Sequence, residues 1–267
     1  MLRERVWTAL LGIPLLLFFV YMGGYWYGLV ILIISILGLK EYFSLMKSGG
    51  WEPVKLAGYL FLPLALLAVY KDNPTLVISL WVFFFIAFAF FPVFFYTKVK
   101  YWEAALSFWG VIYTGGLLSI LVVIRLLPAG FFLTLFLFIM VWSADILAYF
   151  VGGMLGKNPL APHISPKKTV EGTIGGLLGS SLAGILLSWL FPLDFLNLFY
   201  GGLLGLLVGL AGTLGDLNQS VLKRSVNVKD SGDLLPGHGG ILDRFDSLLF
   251  AAPFFYIFVR YLIYTAG

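Results

Sequence analysis

Apolar residues run along this chain in long blocks that are separated by short polar segments. Nine such blocks lie near 6–23, 25–45, 54–70, 74–96, 104–126, 130–151, 173–192, 197–215 and 247–264. A helix of roughly 20 apolar residues crosses the hydrocarbon core of a bilayer, which is about 30 Å thick. The blocks are continuous and do not alternate, which favours helices over the strands of a membrane barrel. The pattern therefore predicts an all-α polytopic membrane protein with about nine transmembrane helices.

The composition agrees with this fold class and narrows the function. Of the 267 residues, 61% are hydrophobic and 11% are charged, and the mean hydropathy is +0.99. A soluble domain is about 45–50% apolar and about 25% charged. The composition excludes a soluble enzyme, a disordered chain and a nucleic-acid-binding protein. The absence of cysteine excludes a disulfide framework, a thiol nucleophile and thiolate metal sites.

Basic residues are unevenly divided between the two sides that nine crossings create. Fourteen of the 17 Lys and Arg residues fall on the side of the N-terminus, and only Lys71, Arg125 and Arg260 fall on the other. Lys and Arg are enriched in cytoplasmic loops of membrane proteins. The sequence therefore predicts a cytoplasmic N-terminus and an outside C-terminus.

The polar residues that suit chemistry are concentrated in the second half of the chain. The first five blocks carry few polar residues and no paired acids. We interpret 1–130 as a transmembrane scaffold and 131–267 as the region that carries the activity, both within one continuous membrane domain. The longest polar stretches, 152–172 and 216–246, fall on the predicted cytoplasmic side.

The first polar cluster begins inside the sixth block. Asp145, Tyr149, Gly152 and Gly156 recur at spacings of four, three and four, so a helix places them on one face. An acid within or near the bilayer is costly and usually faces a polar cavity or a partner. The stripe either lines a cavity or packs against a neighbouring helix through its small residues.

The second polar cluster comprises Gly156-Lys157 and the run from Ser165 to Gly172, which leads into the seventh block. Pro166 and Thr169 suit the start of a helix. A helix N-terminus presents free N–H groups and attracts phosphate. With Lys167 and Lys168 beside it, this segment is either an anion site or a cluster of positive charge flanking a membrane span.

The third polar cluster follows the eighth block and ends at the ninth. If the eighth helix continues past the membrane, Asp216, Ser220 and Lys223 or Arg224 share one face, and Asp243 and Asp246 share a face of the next helix. Converging carboxylates near phosphates suit Mg²⁺, and basic side chains offset the charge of a polyphosphate. The alternative is an ordinary polar connecting loop.

Residues 220–246, SVLKRSVNVKDSGDLLPGHGGILDRFD, resemble the signature of the CDP-diacylglycerol synthase, or phosphatidate cytidylyltransferase, family. The shared elements are Ser, Lys-Arg, Lys-Asp, Pro-x-His-Gly-Gly and Asp-Arg-x-Asp at fixed spacing. The resemblance covers roughly 140–250, and the N-terminal half is similar only as hydrophobic spans. Members often carry Glu immediately before the serine, whereas this chain has Gln219, which we leave out of the implied ligands.

The resemblance implies that CTP and phosphatidic acid react to give CDP-diacylglycerol and pyrophosphate with Mg²⁺, and it leaves open a second monovalent or divalent cation. It also implies a multi-pass protein of the plasma (inner) membrane, with its active site facing the cytoplasm. No nucleic-acid partner is expected. A homodimer is left open, since the small residues Gly172, Gly176, Ser180, Gly201, Gly205 and Gly209 suit either intrachain packing or a dimer face.

The resemblance assigns roles to three groups of residues. The implied metal ligands are Asp216, Asp243 and Asp246. The residues implied to act on the CTP phosphates or pyrophosphate are Lys223, Arg224, Lys229 and Arg244, with His238 ordering the loop. The residues implied to bind the remaining substrate are Asp145, Tyr149, Ser165, Lys167, Lys168, Thr169 and Ser220.

Two other functions remain open at this point. A CTP-dependent polyprenol or phytol kinase would use a similar membrane fold and release CDP in place of pyrophosphate. An ion-coupled transporter would use Asp145 as its relay, although no internal repeat is visible and the acids lie near the predicted cytoplasmic edge.

Overall fold

The computed structural model describes residues 2–71, 73–234 and 239–266, with 2–9, 264 and 266 described by their backbone alone. The α-helices in this part of the chain are α1 (Leu2–Met22), α2 (Gly24–Ser48), α3 (Lys55–Val69), α4 (Pro74–Phe94), α5 (Tyr101–Val111), α6 (Leu117–Leu126), α7 (Gly130–Leu155), α8 (Val170–Leu190), α9 (Leu198–Ser225) and α10 (Leu242–Ala266). A π-helical segment, Ile112–Gly116, joins α5 to α6.

Seven helical segments of the described residues are long and apolar enough to cross a membrane. They are Gly24–Ser48, Pro74–Phe94, Tyr101–Leu126, Gly130–Leu155, Val170–Leu190, Leu198–Ser225 and Leu242–Ile263. Two further apolar helical stretches, Leu10–Met22 and Lys55–Val69, are shorter. The prediction of a helical polytopic membrane protein is confirmed.

A short β-hairpin departs from the all-α expectation. Strands β1 (Pro159–Ala161) and β2 (Ser165–Thr169) are antiparallel, with Pro159 opposite Thr169 and Ala161 opposite Ser165. The prediction that Pro166 helps to begin a helix is wrong, because Pro166 lies in β2 and α8 begins at Val170. The Val170 N–H donates to the Asn158 carbonyl at 2.9 Å, so pairing with the 158–161 segment keeps the preceding residues extended.

The chain divides into two compact units. One unit comprises the described residues up to Val123 together with those of Lys223–Arg244. The other comprises Ile124–Leu222 and the described residues from Phe245 onward. Because α9 and α10 each contribute to both units, most of the signature segment belongs with the N-terminal helices and not with the helices next to it in the sequence.

The first unit packs its helices through aromatic and aliphatic side chains. Phe61 of α3 stacks on Phe84 of α4, and the fully buried Leu242 at the start of α10 approaches Gly38 of α2. The turn after α9 is also packed on this unit, since buried Val226 lies against Gly49 at the end of α2. The signature segment is therefore anchored to α2 through Val226 and Leu242.

The second unit packs its helices through small residues. A Cβ at Gly176 of α8 would lie 2.9 Å from the carbonyl oxygen of Ala144 in α7, and a Cβ at Gly205 of α9 would lie 2.7 Å from the Cα of Ser181 in α8. Such approaches leave no room for a larger side chain. Of the two uses that the sequence left open for the small residues of the seventh and eighth blocks, Gly176 and Gly205 show packing within the chain.

Candidate active site

Asp243 of the signature segment accepts four hydrogen bonds. Its Oδ1 accepts from the Lys223 ammonium at 2.6 Å. Its Oδ2 accepts from the Ser231 N–H at 2.9 Å, the Ser231 hydroxyl at 3.0 Å and the Gly240 N–H at 3.1 Å. The Lys223 and Asp243 side chains are only 12% and 9% exposed. A buried, charged pair of this kind is stable only when hydrogen bonds satisfy the carboxylate, and here they do.

A second carboxylate, from a helix nearly 200 residues earlier, lies beside Asp243. Glu41 of α2 is 7% exposed and accepts from the Ile241 N–H at 2.7 Å and the Leu242 N–H at 2.9 Å. Its Oε2 also accepts from the Ser231 hydroxyl at 3.1 Å. The first N–H groups of a helix have no intrahelical partner and favour a negative charge. Glu41 therefore supplies the start of α10 with an acceptor.

Two consecutive glycines allow the chain to pass between these carboxylates. Gly239 has φ +77°, a conformation that L-residues with side chains rarely adopt, and a Cβ there would lie 2.8 Å from Asp243 Oδ2. A Cβ at Gly240 would lie 2.7 Å from Glu41 Cδ. The Gly-Gly step of the signature is therefore explained by the space that Asp243 and Glu41 occupy.

The other basic residues of the segment are exposed. Arg224 donates through Nη1 to the Val228 carbonyl at 3.0 Å, across a turn in which Asn227 has φ 59°. Lys229 and Arg244 are exposed as well, and the Arg244 N–H donates to the Ile241 carbonyl at 3.0 Å. His238 lies outside the described residues. Lys223, by contrast, is held by Asp243.

In the second unit, Lys168 of β2 forms an ion pair with Asp216 of α9. The two side chains are 24% and 33% exposed, so this pair is more open to solvent than the Lys223–Asp243 pair. Lys167, the neighbour of Lys168 in β2, is exposed, and Ser165 is partly buried. Of the four polar residues predicted to bind substrate in this strand, Lys168 is the one that contacts a predicted metal ligand.

Thr169 and Glu171 fix the end of the hairpin to α8. The Thr169 hydroxyl oxygen caps α8 by accepting from the Gly172 N–H at 3.1 Å. Glu171 accepts from the Lys157 N–H at 3.1 Å, the Asn158 N–H at 3.2 Å and the Asn158 side-chain amide at 2.6 Å. Glu171 thus orders the segment that enters the hairpin. The predicted N-cap role of Thr169 is confirmed.

Asp145 and Tyr149 project from α7 and are both exposed. The glycines of the same stripe pack against the end of the hairpin, since a Cβ at Gly152 would lie 3.1 Å from Thr169 Oγ1 and 3.4 Å from Gly172 Cα. The stripe therefore combines an exposed polar part with a packed glycine part.

The remaining predicted residues lie in α9 and α10. Ser220 is partly buried in α9, which runs unbroken to Ser225, as the predicted spacing requires. Asp246 of α10 is also partly buried, and its Oδ1 accepts from the Ser247 N–H at 2.7 Å. Within the described part of the chain, no group of three or more histidine or acidic side chains is placed to hold a metal ion. An ion bound here would need oxygen ligands from elsewhere, which water and, when substrate is bound, substrate phosphates can provide.

Sequence reasoning missed Glu41 and Ser231. Both are buried polar residues in contact with the signature segment. Glu41 could have been singled out from the sequence because it is an acid near the end of an otherwise apolar span. Such an acid usually has a polar partner. Ser231 lies within the signature, but its spacing alone does not show that its hydroxyl faces two carboxylates.

Comparison with known proteins shows which family the chain belongs to. The family model described as the Cytidylyltransferase family matches residues 3–262. The chain belongs to this family. A cytidylyltransferase-family relative from Synechocystis, named phosphatidate cytidylyltransferase, is 35% identical over 97% of both chains. A relative of the same name from Staphylococcus haemolyticus is 34% identical over 94% of this chain and 96% of its own. One from Bacillus subtilis is 49% identical over 44% of each chain.

Proposed function

We propose that this protein is an integral membrane enzyme that forms CDP-diacylglycerol and pyrophosphate from CTP and phosphatidic acid. Near full-length similarity to two relatives named phosphatidate cytidylyltransferase is the observation that carries this function. The transfer belongs to phospholipid biosynthesis. The same similarity disfavours the kinase and transporter alternatives, because the relatives' names state cytidylyl transfer.

In this reaction an oxygen of the phosphatidic acid phosphate bonds to the α-phosphorus of CTP. The bond from that phosphorus to the oxygen bridging to the β-phosphorus breaks, and its electron pair leaves with pyrophosphate. The lipid phosphate is already an anion at neutral pH, so a strong general base is not required. The protein must instead bring two anions together and stabilise the leaving group by positioning and electrostatics.

Basic side chains supply the positive charge for the nucleotide. We assign Lys223, Arg224, Lys229 and Arg244 to the CTP phosphates and the leaving pyrophosphate. Lys223 is prearranged by Asp243, and the exposed guanidinium groups and Lys229 are accessible to a soluble nucleotide. We assign His238 to ordering the loop around these phosphates.

We propose that Asp216, Asp243 and Asp246 are Mg²⁺ ligands. Mg²⁺ in enzymes is usually held by one or two carboxylates together with substrate phosphates and water. The structure supports this donor chemistry, because Asp243 Oδ1 and a carboxylate oxygen of Asp216 each already face a lysine ammonium. The ion would neutralise negative charge that develops on the leaving pyrophosphate. A second cation remains a prediction.

The hairpin and α7 are assigned to the other substrate. Ser165, Lys167, Lys168 and Thr169, with Ser220, are proposed to hold the phosphate of phosphatidic acid. Asp145 and Tyr149, exposed on α7, are proposed to line the cavity that admits it. Lys168 has the strongest support, because its ion pair with Asp216 links the lysine of the hairpin to a proposed metal ligand.

We also propose nine membrane crossings, a cytoplasmic N-terminus and a cytoplasmic active site in the plasma (inner) membrane. If α1 and α3 cross together with the seven longer segments, the basic residues divide fourteen to three between the two sides. If neither crosses, the division is eleven to six. The sharper division is expected for a membrane protein with its positive loops in the cytoplasm. A homodimer remains a prediction.

The decisive experiment is an incubation of the purified protein in detergent with labelled CTP, phosphatidic acid and Mg²⁺. We expect CDP-diacylglycerol and pyrophosphate in equal amounts. Release of CDP with a phosphorylated alcohol would support the kinase alternative and overturn the proposal. Ion flux into liposomes without CTP would support the transporter.

A further inference from the structure

A buried acid of the N-terminal half belongs to the machinery around Asp243. Glu41 lies in α2, outside the region that resembles the synthase signature, yet its three hydrogen-bonded partners are Ser231, Ile241 and Leu242. A carboxylate that is 7% exposed needs such partners, because a buried charge is costly without them. The groups that satisfy the buried Glu41 carboxylate therefore come from the signature segment.

Glu41 binds the two N–H groups that come immediately before Asp243. The Ile241 and Leu242 N–H groups lie 2.7 and 2.9 Å from the two Glu41 oxygens, so the carboxylate grips the first turn of α10 with both oxygens. Asp243 is the next residue along that turn. These two hydrogen bonds hold the start of α10 in its direction, and the direction of the Asp243 side chain depends on that start.

Ser231 connects the two carboxylates. Its hydroxyl lies 3.1 Å from Glu41 Oε2 and 3.0 Å from Asp243 Oδ2. A hydroxyl carries one proton and donates to one carboxylate at a time. The Ser231 N–H and the Gly240 N–H remain on Asp243 Oδ2 in either case. Oδ2 is thus held by backbone donors, whereas the partner of Oδ1 is a side chain, Lys223.

The loop that contains Gly232 and Gly240 is packed closely on Glu41. Glu41 therefore affects the position of this loop as well as the local charge. A Cβ at Gly232 would lie 3.1 Å from Glu41 Oε1, and one at Gly240 would lie 2.7 Å from Glu41 Cδ. Both glycines therefore lie in direct contact with the carboxylate. We therefore expect replacement of Glu41 to disturb the loop at Gly232 and at Gly240.

From these contacts we propose that Glu41 is a positioning residue that sets Asp243 for the bound cation. It acts through the first turn of α10 and through Ser231. The proposal rests on the proposed function only in taking Asp243 as a metal ligand. The placement of the loop by Glu41 is tested separately from any reaction.

The principal variant is Glu41→Gln, which keeps the size of the side chain but replaces one acceptor oxygen by a donor. The matched control is Glu103→Gln. Glu103 is an equally buried acid of the same unit, accepting from the Lys100 N–H at 2.9 Å and the Glu52 N–H at 3.3 Å at the start of α5. Both variants remove one charge and disturb one helix start.

Two measurements in detergent require neither CTP nor phosphatidic acid. Hydrogen exchange of the peptide covering Gly239–Asp246 is expected to be about tenfold faster in Glu41→Gln, since one of the two buried N–H groups that Glu41 binds then faces a donor in place of an acceptor. Binding of Mn²⁺, used in place of Mg²⁺ and followed by electron paramagnetic resonance, is expected to weaken about tenfold. Glu103→Gln should leave both quantities at the wild-type value.

Activity provides a third measurement. The Mg²⁺ concentration for half-maximal CDP-diacylglycerol formation should rise about tenfold in Glu41→Gln, with most of the rate regained at saturating Mg²⁺. Glu41→Asp, which keeps the charge, should recover part of the shift. Equal shifts in Glu41→Gln and Glu103→Gln, or no shift in either Mn²⁺ binding or exchange, would overturn the proposal.

Ser231→Ala covers the case in which Glu41→Gln does not fold. It removes only the hydroxyl between the carboxylates, and a rise of about threefold in the Mn²⁺ dissociation constant is expected, a fraction of the effect of losing a supporting side chain. An unchanged constant would count against the proposal. If wild-type protein makes no CDP-diacylglycerol, the proposed function fails, while exchange and Mn²⁺ binding still decide the role of Glu41.

Discussion

The two units of this protein each hold a predicted metal ligand in an ion pair with a lysine, but they hold it differently. In the first unit, Asp243 accepts from Lys223, the Ser231 N–H and hydroxyl and the Gly240 N–H. In the second unit, the structure shows Asp216 paired with Lys168, and both side chains are more exposed. Backbone donors therefore fix Asp243, whereas a flexible side chain holds Asp216.

The difference implies that the fold fixes the orientation of Asp243, whereas Asp216 can change its partner. A carboxylate fixed by N–H groups keeps its orientation when its lysine moves to a phosphate. A carboxylate held by one lysine changes partner with little cost to the fold. We therefore expect substitutions in the two pairs to have similar consequences for activity but different consequences for stability.

The largest effect is expected from the two Asp→Asn substitutions. Asp243→Asn and Asp216→Asn should each reduce CDP-diacylglycerol formation at least about a hundredfold across a Mg²⁺ titration, because each removes a charge from a residue proposed to bind the cation that stabilises the transition state. Asp243→Asn should also destabilise the fold by about 3 kcal/mol, since it leaves buried Lys223 without its carboxylate. Asp216→Asn should cost less, about 1 kcal/mol, because the side chains of its pair with Lys168 are less buried than those of the Lys223–Asp243 pair.

Activity assays and thermal unfolding in the same detergent measure both quantities. Glu103→Gln serves as the control for removing a buried acid away from the signature segment. If Asp243→Asn retained near wild-type activity throughout the Mg²⁺ titration, its assignment as a metal ligand would be wrong. If both Asn variants unfolded at the same temperature, the two ion pairs would not differ in their contribution to stability, contrary to expectation.

An intermediate effect is expected from the two adjacent lysines of β2. Lys168→Ala should raise the apparent KM for phosphatidic acid about tenfold, because Lys168 is half-buried and already ordered by Asp216. Lys167→Ala should raise it only about twofold, because exposed lysines contribute little through a single contact. Steady-state kinetics in mixed micelles, with CTP and phosphatidic acid varied in turn, give both values.

Lys168→Arg keeps the charge and is the matched control for this pair. An unchanged KM for both substrates in the Lys168→Ala, Lys167→Ala double variant would show that the hairpin is not an anion site. A change confined to the KM for CTP would instead indicate that the hairpin binds the nucleotide and not phosphatidic acid.

The helices of this fold were predictable because they depend on local sequence. Long apolar runs specify α2, α4 and α7 without reference to any partner, and the continuation of α9 to Ser225 meets the condition under which Asp216 and Ser220 share one face. The hairpin was not predicted, because β1 has three residues and is stabilised by pairing with β2 and not by an alternating pattern. Pro166 suits both a helix start and an edge strand, so it did not distinguish them.

The residues of the candidate site were predictable from the signature, but their partners were not. Asp243 and Lys223 are 20 residues apart, and Glu41 and Ile241 are 200 apart. Pairs at such separations are set by how the helices pack, which composition and periodicity do not specify. Glu41 in particular belongs to the half of the chain that polar content alone assigns to the scaffold.

The smallest expected effect is at Thr169. Here the two units differ in how a side chain supports the start of a helix near the candidate site residues. Thr169 holds the strand that carries Lys168 by capping α8, much as Glu41 supports the start of α10, but with a single neutral bond. Thr169→Ala should lower the free energy of unfolding by about 1 kcal/mol, as the loss of an N-cap does. Thr169→Ser keeps the hydroxyl and should recover most of that loss in thermal unfolding. Equal destabilisation by both variants would assign the effect to the Thr169 methyl group, which packs near Gly156, and not to the cap.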